Sequence, residues 1–118
     1  MIWDTSDRTK VFVVDSNKAD YAALVNTSAK SNTEVVFFES GREALKAAST
    51  TGPAMWVVNM QLADMQGTEL RSLLRRRGNK SPLALVGNEY SVADEIAARS
   101  SGCEMYFAKS MIHEAFAA

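Results

Sequence analysis

The chain has 118 residues, with 13 Lys and Arg against 14 Asp and Glu, for a formal net charge of −1. That length suits one domain spanning 1–118, and 47% hydrophobic with 23% charged residues is too apolar for a disordered chain. The balanced charge excludes a dedicated nucleic-acid binder, which needs surplus cations for the phosphates, and the single cysteine, Cys103, excludes an internal disulfide or a multi-cysteine metal site. Met1 to Lys10 carries charges and no apolar stretch, so no secretory signal is visible. No apolar run approaches the ~20 residues that span a bilayer, and the expectation is a cytoplasmic protein with no membrane partner.

Five short apolar runs organise the chain: Val11–Val14, Val35–Phe38, Met55–Val58, Leu83–Val86 and Met105–Ala108. Each is continuous rather than alternating, as a strand buried on both faces requires. Their starts lie 20 to 28 residues apart, too far for hairpins and suited to a crossover helix between parallel strands. Between the first two, Tyr21, Leu24, Val25 and Ser28 share one helical face. Ser40-Gly41-Arg42-Glu43 has the form of a capping box, and Ala44, Leu45 and Ala48 follow at helical spacing until Gly52-Pro53 stops the helix. Leu70, Leu73 and Leu74 form the stripe of a third helix that Gly78 and Pro82 end. Ser91 caps a fourth, whose Val92, Ala93, Ile96 and Ala97 are expected to face inward, with Gly102 as its stop. Met111 to Ala118 leaves room for a short fifth helix. This βα alternation predicts a doubly wound α/β sandwich of three layers, αβα.

In such sheets ligands sit beyond the carboxyl ends of the strands, which directs attention to Asp15-Ser16-Asn17, Ser40, Asn59-Met60, Gly87-Asn88 and Lys109. No Gly-rich phosphate loop and no Ser/His/Asp constellation occurs among them. Trp56, inside an apolar run, and Trp3 are read as packing residues, and His113 and Cys103 as ordinary ones. Arg71, Arg75, Arg76, Arg77 and Lys80 form the strongest charge cluster. Cations at a helix C-terminus complement its dipole by ~0.3–1 kcal/mol each, and together they are a candidate docking patch for an acidic partner.

Three segments in order resemble the response-regulator receiver domain family over Lys10 to Phe116. Lys10-Val11-Phe12-Val13-Val14-Asp15 is similar to the receiver opening. Val57-Val58-Asn59-Met60-Gln61-Leu62-Ala63-Asp64-Met65-Gln66-Gly67 is similar to the phosphoacceptor segment, and Gly102-Cys103-Glu104-Met105-Tyr106-Phe107-Ala108-Lys109 to the Gly, aromatic and Lys series near the end. The resemblance implies a five-stranded parallel sheet of flavodoxin-like order 2-1-3-4-5, with Asp15, Asn59 and Lys109 meeting at one end. It also implies a role in two-component signalling and phosphorelay.

The departures from the family pattern are specific. Asn59 stands where the family has its phosphorylated Asp, and an amide offers no anionic oxygen to attack phosphorus. Ser16 replaces one of the acidic pair, Gly87 the Ser/Thr that follows the phosphoryl group, and Ala63 and Ser110 the usual prolines. Asp15 and Lys109 remain of the phosphorylation apparatus, and magnesium, a hard cation held by carboxylates, loses most of its donors. The pattern therefore resembles a pseudo-receiver with no catalytic residue, no metal and no cofactor. A partly solvent-screened contact is expected between Lys109 and either Asp15 or the Asn59 side-chain oxygen. Tyr106, at the family's switch-aromatic position, is expected to be a fixed ring contributing to a surface. By the same resemblance the fourth helix, fifth strand and fifth helix form a face for dimerisation or for a signalling partner or effector domain, here Ala93, Ala97, Tyr106, Ala108 and Met111. The rival readings are a phosphorylatable receiver using a displaced acid, Asp64 or Asp15, and a flavodoxin-like small-ligand binder.

Overall fold

A computed structural model describes residues 9–48, 52–103 and 105–112; Trp3, His113 and the fifth-helix segment beyond 112 lie outside them. Five strands, β1 (Thr9–Val14), β2 (Thr33–Phe38), β3 (Met55–Asn59), β4 (Leu83–Gly87) and β5 (Met105–Ala108), alternate with α1 (Ala22–Ser28), α2 (Gly41–Ala47), α3 (Gly67–Arg76) and α4 (Val92–Ser100). Single 3-10 turns at Lys18–Tyr21 and Lys109–Met111 precede α1 and follow β5. All pairings are parallel and the order is β2-β1-β3-β4-β5.

The apolar runs are continuous because alternate residues serve two separate cores. On one face Val14, Trp56, Val58 and Leu85 pack with Ala44 of α2, Leu70 and Leu74 of α3 and Ala98 of α4. On the other, Val13, Val57 and Val86 pack with Tyr21, Leu24 and Ile112. Trp56 is fully buried, its ring edge-on to Phe12 at 5.2 Å and its indole N–H donating to the Asn79 side-chain oxygen at 3.2 Å. Burying so large a ring next to a satisfied polar tip makes β3 the centre of the domain.

The helix caps follow the sequence closely. Ser40 Oγ accepts from the Glu43 N–H, but Glu43 Oε2 accepts from the N–H of Glu39 rather than that of Ser40, one residue short of a reciprocal box. Ser91 Oγ accepts from the Asp94 N–H, and Gly102 closes α4 at φ 95°, a conformation that glycine adopts without cost.

Of the residues sharing one helical face at α1, Tyr21, Leu24 and Ser28 are buried and Val25 is exposed. The expected inward face of α4 needs correction. In α4, Val92, Ala93, Ile96 and Ala97 all face solvent, and Ala98 is the residue buried against the sheet. The N-terminus of α4 is tied to the sheet by the Ser91 N–H, which donates to the Tyr106 hydroxyl. The half-buried Ser91 and Asp94 and the buried Ala98 form the side that meets the sheet, and the apolar stripe faces outward.

Candidate functional site

Parallel strands present their carboxyl ends together, so Asp15 (after β1), Asn59 (ending β3) and Lys109 (after β5) converge although far apart in sequence. They border a cleft of about 530 Å³ whose other walls are Ser16, Asn17, Asp20, Gln61, Asn88 and Ser110.

Asp15 is the hub of the site. Its Oδ2 accepts three contacts, each 2.8 Å: from the Tyr21 hydroxyl, the Asn59 amide and the Lys109 ammonium. Its Oδ1 accepts from the Asn17 N–H at 3.0 Å. Burial pushes this carboxyl up, but the donors from Asn59, Lys109, Asn17 and Tyr21 outweigh it and hold Asp15 below its ordinary value. Burial and the neighbouring Asp15 drive the Tyr21 phenol far above its usual range. Lys109 is lowered by burial but raised on balance by Asp15 and Asp20, the second at 2.6 Å. The Lys109 and Asp15 side chains are 9% and 4% exposed, so the pair is buried and not solvent-screened as the sequence reading expected. Nor does Lys109 reach the Asn59 oxygen, which accepts from the Gln61 N–H at 2.9 Å. The Asn59 amide has a second acceptor in the Asn88 oxygen at 3.2 Å. Among the described residues no buried side-chain nitrogen or oxygen lacks a hydrogen-bond partner.

This donor set does not suit magnesium. Both oxygens of the buried carboxylate already accept hydrogen bonds, Ser16 offers only a neutral hydroxyl, and Asp20 is paired with Lys109. A cation entering here would have to displace an ammonium from Asp15.

Gly87 lines the neighbouring part of the crevice. A Cβ placed there would lie 2.6 Å from the Tyr106 hydroxyl and 3.0 Å from the Glu89 carbonyl oxygen. The Tyr106 hydroxyl thus takes the space a side chain at 87 would need. The ring is half-buried and packs against the core, so its position is more internal than the surface role expected of it. Ala108 is buried beside Gly87 and cannot belong to an exposed face, whereas Ala93, Ala97 and Met111 are exposed. Ala108 shares a strand face with Tyr106 and is covered there, beside Gly87.

Asp64 is engaged elsewhere. Its two carboxylate oxygens accept the N–H groups of Gly41 and Arg42 at 2.9 and 3.0 Å, binding the start of α2. Three members of the cationic cluster brace backbone carbonyls: Arg71 those of Ser101 and Gly102, Arg75 those of Asn79 and Ser81, and Arg77 that of Leu45. Arg76 and Lys80 are exposed. Cys103 is buried with its Sγ 3.3 Å from the Leu83 carbonyl oxygen.

Sequence reasoning missed Asp20 and the role of the Tyr21 hydroxyl, and it named Asn88 among the strand-end residues without its contact to Asn59. Asp20 lies five residues after Asp15, and nothing in its local sequence marks it as a partner of Lys109. Tyr21 was placed correctly in the core, but nothing in a helical stripe tells where the ring's polar tip points.

The family model described as "Response regulator receiver domain" matches residues 11–118. The transcriptional regulatory protein PrrA of Mycobacterium tuberculosis is 27% identical over 103 residues, covering 87% of this chain and 44% of that protein. The alkaline phosphatase synthesis transcriptional regulatory protein PhoP of Bacillus subtilis is 26% identical over 100 residues, covering 85% and 42%. The chain thus spans under half the length of these relatives. A putative response regulator from Chloroflexus aurantiacus superposes with a TM-score of 0.78 at 21% identity, covering 88% of this chain and 87% of that one. The BeF3-activated receiver domain of Klebsiella pneumoniae RstA gives 0.75 at 20% identity, covering 86% of each. With its order β2-β1-β3-β4-β5 and a family match over nearly its whole length, the chain belongs to the response regulator receiver domain family of two-component signalling.

Proposed function

We propose that this receiver domain is a pseudo-receiver: it acts by binding other proteins and takes no phosphoryl group. The observation that carries the reading is Asn59. It ends β3 with an amide where a carboxylate would be the nucleophile, and that amide donates to Asp15 and Asn88. The salt-bridged Lys109 and the filled coordination of Asp15 support it, since a phosphoryl group would have to compete for both. Asp64, the displaced-acid alternative, is engaged at the start of α2 and is a poor substitute nucleophile.

The partner in this reading is a signalling protein or an effector domain, met at the face of α4 and the segment after β5. There Ala93, Ala97 and Met111 are exposed together with Tyr90, Val92 and Ile96. The relatives' names point to transcriptional control, and any DNA contact would belong to parts of those proteins beyond the matched region. The domain is proposed to be non-enzymatic. Incubation with a small-molecule phosphodonor and magnesium, read by intact mass, tests the reading. An unchanged mass supports it, and a stoichiometric, base-labile phosphoryl adduct overturns it.

A further inference from the structure

Two surfaces on opposite flanks of α3's neighbourhood in the fold are complementary in chemistry. The first is the outer face of α4. Val92 and Ile96, 60% and 59% exposed and one turn apart, form a short apolar ridge with Ala93 and Ala97 between and behind them. Acids outnumber cations around it: Glu89 is exposed in the loop before the helix, the half-buried Asp94 lies on the sheet side, and Glu95 is paired with Arg99, the one cation on α4, at 3.2 Å.

The second is a groove of about 480 Å³ between α2 and α3. Leu45 and Met65, both half-buried, line it, and Arg42, Lys46 and Arg77 rim it. The acid in this groove, Asp64, has both oxygens engaged by backbone N–H groups of α2. The groove therefore offers apolar contact inside a cationic rim, where α4 offers an apolar ridge beside acids.

We propose that α4 of one copy docks in the α2–α3 groove of a second copy. A helix laid in an apolar groove is read through anchors at i and i+4, here Val92 and Ile96, while the facing charges fix its orientation. The two patches differ, so each contact leaves one ridge and one groove free, and the association extends head to tail. Its area is a few side chains, well short of the ~800 Å² per partner of a stable complex, which makes it weak, concentration-dependent and sensitive to salt. The inference rests on the reading of α4 as a docking surface. It uses no group of the Asp15 cleft, so its failure leaves the phosphorylation test untouched.

Sedimentation of the full chain over rising concentration, at low and high salt, tests it with two variants. Arg42→Glu with Lys46→Glu reverses the groove rim, and Ile96→Asp breaks the ridge; all three residues are exposed, and circular dichroism checks that each variant folds. The wild type is expected to associate at low salt and dissociate at high salt, and each variant to lose about tenfold or more in association. Mixed in equal amounts, the variants should form dimers and nothing larger, because one keeps its ridge and the other its groove. A wild type that stays monomeric throughout overturns the proposal. So does a rim variant that associates like wild type, which would mean that α4 meets α4, or a mixture that stays monomeric.

Discussion

Replacing Lys109 with Met removes one ammonium and keeps most of the side chain's volume. The structure makes the cost large for a single charge. Lys109 and Asp15 are 9% and 4% exposed and 2.8 Å apart, so the variant leaves a buried carboxylate without its cation. Breaking a buried pair from one side costs about 3–5 kcal/mol. Asp15 keeps the Tyr21, Asn59 and Asn17 donors, which places the expected loss at the lower end, about 3 kcal/mol. For a domain of this size that is a fall in Tm of roughly 10 °C or more. Urea unfolding at pH 7 measures it directly. Below 1 kcal/mol, the pair would be solvent-screened and the burial argument refuted.

The pH dependence supplies a second expectation. Lys109 and Tyr21 both have folded values raised above their unfolded ones, so their contribution is complete below about pH 10 and is lost as pH rises through the folded values. Asp15 is depressed, so its contribution is present above about pH 4 and is lost as pH falls through its folded value; unfolding curves of Asp15→Asn should lose that acid limb. Gly87→Thr should drive the Tyr106 hydroxyl from its place against residue 87, changing the near-UV circular dichroism, and Tyr106→Phe in the same background should relieve the strain; an unchanged spectrum and Tm would show that the space is not contested. Restoring both carboxylates, Ser16→Asp with Asn59→Asp, should lower the Tm of the metal-free protein and make it rise with magnesium, and a Tm fall that magnesium leaves unchanged would mean the carboxylates do not converge.

The five strands were legible because continuous apolar runs separated by crossover lengths admit few arrangements, whereas their order, and with it the meeting of Asp15, Asn59 and Lys109, came from the family resemblance. The rotation of α4 was not legible. Val92, Ala93, Ile96 and Ala97 satisfy helical periodicity as well as any buried stripe, whereas the face that meets the sheet carries Ala98 and the Ser91 contact to Tyr106, long-range packing that no local pattern encodes. The same limit hid Asp20. Its partner Lys109 lies 89 residues away in sequence, and its exposed, charged character reads locally as a solvated residue. Ala108 was assigned outward by its place in the family face, and alternation, which puts it on the side of Tyr106, does not reveal that packing beside Gly87 buries it.

The central claim is that the amide of Asn59 closes the acceptor position. Intact mass spectrometry after incubation with phosphodonor and magnesium tests it most directly, with wild type, Asn59→Asp and the Ser16→Asp, Asn59→Asp double variant in parallel. Wild type should keep its mass, and the double variant should gain the mass of one phosphoryl group. A wild-type protein that gains that mass stoichiometrically, with the adduct mapped by peptide fragmentation to Asp15 or Asp64, contradicts the account.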